Sequence, residues 1–206
     1  MRVAKSHIIL VVLALTLAGG VGVATADNLL SNPGFETGDL TDWEVHGSTP
    51  PSADITVLMG DNGPSAPGTY NAFLDNQAET RALFLKQSTP AGSGIAGATL
   101  WSVDLKLDQA DVGGVLFVNI FAETEGGGVI GGSGLQGPFW PWGQWQTFNG
   151  SFTAPAGTDF LTIQIEAVTG AAIGTNCRAH ADNVVLDQGT VAAEQMNWSD
   201  IKSLYR

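Results

Sequence analysis

The sequence has one cysteine, few cations and no catalytic signature, and each shortage closes off a class of answers. Cys177 is the only cysteine, so no disulfide can form within the chain. Stability must come from a packed core or a bound metal. Cys177 itself reads as a small buried residue, with pairing between chains as the other reading. Lys and Arg total 8 against 20 Asp and Glu, for a net charge of −12. That balance argues against nucleic acid and against anionic membranes as partners. After the first 26 residues the only histidines are His46 and His180. No H-E-x-x-H, no G-x-S-x-G, no phosphate-binding loop and no zinc spacing occurs. A carboxylate pair can hydrolyse a glycoside, but abundant acids single out no pair. A long helical period is also missing before the end of the chain.

What is present starts with a leader. Arg2 and Lys5 precede an uncharged apolar run, Ile8 to Ala18, and Ala24-Thr25-Ala26 is a small-x-small cleavage site. Together these predict a secretory signal peptide over residues 1–26. The competing reading is a membrane anchor, but the run is short of the ~20 apolar residues a span needs. No cysteine follows the run, so lipidation there is not indicated. Cleavage leaves 180 of the 206 residues, and losing two positive charges takes the net charge from −12 to −14. The expected location is outside the cell or on its surface. The expected divisions are residues 27–188 as one domain and 189–206 as a linker and tail. The mature length suits one domain with a sizeable core.

Short apolar runs separated by Gly, Pro, Asn and Asp make up the middle of the chain. Leu161, Ile163 and Ile165 alternate with Thr162, Gln164 and Glu166; Trp101, Val103, Leu105 and Leu107 alternate with Ser102, Asp104 and Lys106. A period of two predicts half-buried strands. Strands are expected at 54–58, 70–75, 81–87, 98–107, 114–122, 144–152, 159–167 and 182–187. Their spacing predicts an all-β fold, an antiparallel β-sandwich of jelly-roll type. The glycine-rich stretch Glu123–Pro138 reads as a long surface loop or a hairpin tip. At the end, Asn197 is placed to cap a short helix with Trp198, Ile201, Leu204 and Tyr205 on one face. So short a helix is marginal alone. It must dock on the domain or on a protein partner.

The residues at the front carry a resemblance. Asn28 to Glu44, "NLLSNPGFETGDLTDWE", resembles the opening of the CenC-like carbohydrate-binding modules, within the galactose-binding-like jelly-roll group. "LFLKQ", "GQWQTFNGSFTAPAGTDFLTIQIE" and "HADNVVLD" resemble three further landmarks of that family, with Asn183 where a second acid usually stands. The likeness spans about Asn28 to Asp187. The C-terminal "NWSDIKSLYR" also looks like short endings on some secreted bacterial proteins, suggesting a processing or docking signal.

The resemblance implies a structural calcium where the first and last strands meet. Glu36 and Asp182 match the family positions, and Gly34 or Gly38 would add backbone carbonyls. A hard cation needs several oxygens at once. The alternative is that Glu36 caps a turn and Asp182 is a surface acid.

Aromatic rings are the candidate glycan platform, because flat rings match the C–H faces of sugars. Trp140 and Trp142 lie in a Gly/Pro-flanked loop, and loops carry binding. The other reading is that they cover one end of the core. Trp145 matches a family position that supports the fold more often than it binds. Trp43 and Trp101 are expected in the core. Leu116, Val118 and Ile120 alternate with Phe117, Asn119 and Phe121. One of these faces is core, and the other is a shallow groove or a surface under the glycine-rich loop. The expected function is non-catalytic polysaccharide binding. The alternatives are a structural or adhesive protein using the fold for protein contacts, and a small glycan-cleaving enzyme.

Overall fold

The computed structural model describes residues 27–47 and 54–189. They contain eleven strands and no helix. In chain order these are β1 (Glu44–His46), β2 (Ile55–Met59), β3 (Tyr70–Asn76), β4 (Ala82–Ser88), β5 (Gly97–Gln109), β6 (Val115–Glu123), β7 (Val129–Gly132), β8 (Gln136–Phe139), β9 (Gln146–Ala154), β10 (Phe160–Val168) and β11 (Cys177–Asp187). A six-stranded sheet runs β1-β4-β10-β6-β7, with β8 also on β6. A five-stranded sheet runs β2-β3-β11-β5-β9. All pairings between these strands are antiparallel. The two sheets face each other as the expected antiparallel jelly-roll sandwich.

Alternation builds the core. Leu161, Ile163, Ile165 and Ala167 of β10 are fully buried, as are Leu116, Val118, Ile120 and Ala122 of β6. Val103, Leu105 and Leu107 of β5 meet them from the other sheet. Trp43 and Trp101 are buried there, as expected. Cys177 is free and fully buried.

The front of the chain is pinned to the last strand. The Leu29 amide donates to Leu186 O at 2.8 Å and the Val184 amide to Pro33 O at 2.9 Å. Phe35 is buried at a positive φ of 59° and stacks on Trp43 at 5.2 Å. The Trp43 indole N–H donates to Asn32 O at 3.0 Å. Thus the Asn32–Gly34 turn, Phe35 and Trp43 form one plug.

The glycine-rich stretch contains more order than a surface loop. The Thr124 amide donates to Gly128 O, and the Gly127 amide to Thr124 O. This tight turn folds β7 back on β6 as a hairpin. A Cβ on Gly132 would collide with the Ile120 carbonyl, so only glycine permits that pairing. β11 also starts five residues before the expected Asp182, at Cys177. The expected terminal helix and leader lie outside the described residues.

Candidate functional site

Two places draw polar groups together. The first lies where β11 bulges at Asn183, which takes a positive φ of 48°. Asp104 and Asp182 are opposite each other on β5 and β11, and both are buried. Asp104 accepts four hydrogen bonds: the Ser65 amide at 2.8 Å, the Ser65 hydroxyl at 2.6 Å, the Thr147 hydroxyl at 2.6 Å and the Asn183 amide at 2.9 Å. Asp182 accepts the Gly63 amide at 2.8 Å and the Asn183 backbone amide at 2.7 Å. Burial, above all, pushes the Asp182 carboxyl up to about 6, and the charges of Asp104 and Glu36 add to it.

Gly34 sits at the centre of this group. A Cβ there would lie 3.5 Å from Asp182 Oδ1, 3.6 Å from Asn183 Oδ1 and 3.7 Å from Glu36 Cγ. Glu36 Oε1 accepts the Thr69 and Tyr70 amides at 2.8 and 3.1 Å. Asn62 adjoins Glu36 across Gly68, and its Oδ1 is buried with no hydrogen-bond partner. Of the sequence candidates, Gly34, Glu36 and Asp182 therefore come together, whereas Gly38 packs on the Tyr70 ring, 3.5 Å from a Cβ position. Among the described residues no three His, Cys, Asp or Glu side chains form a metal-holding group. The oxygens that do converge at Gly34 mix the Asp182 carboxylate with the Asn183 amide carbonyl. That donor chemistry fits a hard cation, which takes both kinds of oxygen.

The second place is the outward face of the six-stranded sheet. The strand register lays its side chains in rows: His46, Phe84, Glu166, Phe117; then Glu44, Lys86, Gln164, Asn119; then Ser88, Thr162, Phe121. Phe84, Phe117 and Phe121 are half-buried. Glu166 is 9% exposed and Thr162 3%, although both point away from the core. Their cross-strand neighbours, Phe84 and Phe117 beside Glu166 and Phe121 and Ser88 beside Thr162, cover these central positions. Gln164 donates to Glu166 Oε1 at 2.7 Å and the Thr162 hydroxyl to Glu123 Oε1 at 2.6 Å. His46, first, and Lys86 hold the Glu44 carboxyl below its usual range.

The candidate tryptophans separate. β8 turns Phe139 onto Phe148, with ring centroids 4.3 Å apart, and delivers Trp140 directly after it. The Trp140 indole N–H donates to Gly114 O at 3.3 Å, just before β6. Trp140 and Trp142 are each 57% exposed. The backbone between them is held, because Pro141 O accepts the Leu107 amide and Leu107 O accepts the Gly143 amide, both at 2.9 Å. Trp145 belongs to the other sheet. Its N–H donates to Asp61 Oδ1 at 3.1 Å and its ring meets His180 edge-on at 5.9 Å. Lys106 joins Asp61 to Asp108, and His180 bridges Asp108 and Asn71. Burial pushes the His180 imidazole down, with Asp108 opposing it. Trp145 is thus one member of a closed network.

Sequence reasoning missed Asn62, Asp104 and the Gln164–Glu166 pair. Asp104 had a signal in its place among the apolar residues of β5. Asn62 had none, since its role depends on a loop closing over another strand.

No family model matches the chain, and no curated protein does. Solved structures share the fold. The enzymatically active domain of bacteriophage CBA120 tailspike protein 4 is 15% identical at a TM-score of 0.58, over 78% of this chain. This chain spans only 21% of that one. The CBM22-1 xylan-binding domain of Paenibacillus barcinonensis Xyn10C is 14% identical at 0.53, covering 81% of this chain and 97% of its own. A family 16 carbohydrate-binding module is 13% identical at 0.51, covering 78% and 100%. At such identities the likeness is one of fold.

Proposed function

We propose that this chain binds a polysaccharide outside the cell without cleaving it. The observation that carries the reading is the mixed aromatic and polar outward face of the six-stranded sheet. There half-buried Phe84, Phe117 and Phe121 alternate with Glu166, Gln164 and Asn119. Rings supply stacking surface for sugar C–H faces, and amides and carboxylates take hydroxyls. Exposed Trp140, next to the start of β6, and exposed Trp142, bridged to Leu107 of β5, extend the platform at one end of the sandwich. Trp145 lies on the opposite sheet and serves the scaffold. That xylan-binding and other carbohydrate-binding modules use this fold supports the reading by analogy.

A calcium ion held by Glu36, Asp182, Asn183 and Asn62, with a backbone carbonyl near Gly34, would lock the front of the chain onto β11. Its contribution is charge neutralisation and oxygen coordination, and the aromatic face does not depend on it for chemistry. The remaining partners follow from composition. The acidic chain is unsuited to nucleic acid, and among the described residues no helix is long and apolar enough to cross a membrane. A protein partner for the tail belongs to the same proposal.

The deciding experiment titrates the chain with soluble plant and bacterial polysaccharides while following tryptophan fluorescence and reducing-end release. Saturable binding weakened by Phe117→Ala, with no release of reducing ends, supports the reading. A folded protein that answers to no glycan would move the assignment to a structural or adhesive role. One observation favours that second role: edge strand β7 exposes Val129 at 60%, beside Ile130 at 41%.

A further inference from the structure

Asp187 ends β11 only 4% exposed. It lines a cleft of about 320 Å³ with Leu100, Ser102, Asn149 and Val185. Among the described residues no hydrogen bond or ion pair reaches its carboxylate. The side chain is enclosed, but its carboxylate opens on the cleft and meets no protein partner among the described residues. Its one charged neighbour among the described residues makes matters worse, because that neighbour is another acid, Asp27. Burial first, and Asp27 second, push the Asp187 carboxyl up. None of the other side chains that line the cleft titrates.

Asp27 is held in place by the two residues after it. The Asn28 side-chain amide donates to Val184 O at 2.8 Å, and Asn28 Oδ1 accepts the Leu186 amide at 3.0 Å. The Leu29 amide donates to Leu186 O at 2.8 Å. Residues 28 and 29 are therefore tied to β11, and Asp27 is delivered to its Asp187 end. Two acids meet there, and among the described residues no cation joins them.

The sequence places the leader's cleavage site immediately before Asp27. Hydrolysis by a leader peptidase adds water across the Ala26–Asp27 peptide bond. The carboxylate leaves with Ala26, and the amine stays on Asp27 and takes up a proton at neutral pH. We propose that this new α-ammonium pairs with the Asp187 carboxylate, so that leader removal supplies the missing cation and clamps the first residue of the mature chain to the last strand. The proposal rests on the leader reading and is independent of glycan binding. It makes maturation a stabilising event.

The pair would raise the amine above its unfolded value of about 7.7–8.0. Its stabilisation is then present in full below about pH 7.7 and lost as pH rises through the folded value.

Two measurements test the proposal in order. The intact mass of the exported protein should correspond to a chain starting at Asp27; any other first residue overturns the proposal at the leader reading. Thermal melts are then compared for chain 27–206 with a free amine, the same chain acetylated at Asp27, and chain 24–206, each with and without Asp187→Asn. The free-amine chain should melt about 2–4 °C higher near pH 6. The gap should close by about pH 9.5 and vanish in Asp187→Asn. A start at Asp27 with equal melting temperatures, or a gap that survives Asp187→Asn, overturns the pairing alone.

Discussion

The Asn183 side-chain amide donates to Asp104 Oδ2 at 2.9 Å, and this bond turns its own oxygen toward Gly34. The orientation matters because a carboxylate at this position could not donate to Asp104. Asn183→Asp should therefore destabilise the calcium-free protein, by about 2 kcal/mol for a lost bond plus facing buried charges. The same change should tighten calcium binding. Urea melts in chelator and in excess calcium check both signs, and a variant neutral in chelator would remove the orienting role.

Asp104 is the anchor of the loop over β5 and β11. Asp104→Ala removes the acceptor of four hydrogen bonds, from Ser65, Thr147 and Asn183. The expected cost is about 3–5 kcal/mol, read as a drop in the denaturation midpoint with an unchanged slope. A loss below about 1 kcal/mol would mean that the loop closes without it.

Asp182 predicts a pH dependence of the calcium-free protein. Its folded pKa of about 6 lies above the ordinary 3.8. Between those values the folded state keeps a proton that the unfolded state has released, so this group's contribution to stability falls as pH rises from about 4 to 6. Asp182→Asn should flatten that slope in chelator. A calcium ion at the proposed site would take the ionised form, so its thermal shift should weaken below about pH 6. A slope unchanged in Asp182→Asn would place the titration elsewhere.

The two faces should separate in binding. Phe84→Ala and Phe117→Ala are each expected to weaken glycan binding about tenfold, near 1.4 kcal/mol. Trp145→Phe removes the bond to Asp61 and should lower stability while leaving glycan affinity in place. Isothermal titration of all three against one bound polysaccharide decides; the opposite ranking would move the platform to the five-stranded sheet.

Cys177 should be inert in the folded protein. Burial pushes its thiol up to about 12, so almost no thiolate exists at neutral pH. Alkylating reagents should label it only on unfolding, and no disulfide-linked dimer should appear on non-reducing gels. Rapid native labelling would reopen the reading of pairing between chains.

Legibility followed the physics of each segment. β10 was plain because Leu161, Ile163 and Ile165 alternate with polar residues, and one buried face requires that period. β7 and β8 were hidden because Val129–Gly132 and Gln136–Phe139 hold glycines and a proline. Their strand state comes from pairing with β6 and not from propensity. Glu36, Asp182 and Gly34 were legible through the resemblance alone. Nothing in the spacing of Trp140, Trp142 and Trp145 told that the last would face the opposite sheet.

The sequence by itself determined which side of β5 and β10 is buried, that the fold is all-β, and that no internal disulfide holds it. Alternating apolar residues can satisfy burial in only one register. The tertiary structure decided which strands are neighbours. It set β10 between β4 and β6, and β11 between β3 and β5. Pairing over such sequence distances sets Asp104 opposite Asp182 and places three phenylalanines on one outward sheet face. Local pattern carries no information about partners a hundred residues away, so the sites appear only once the sheets are assembled.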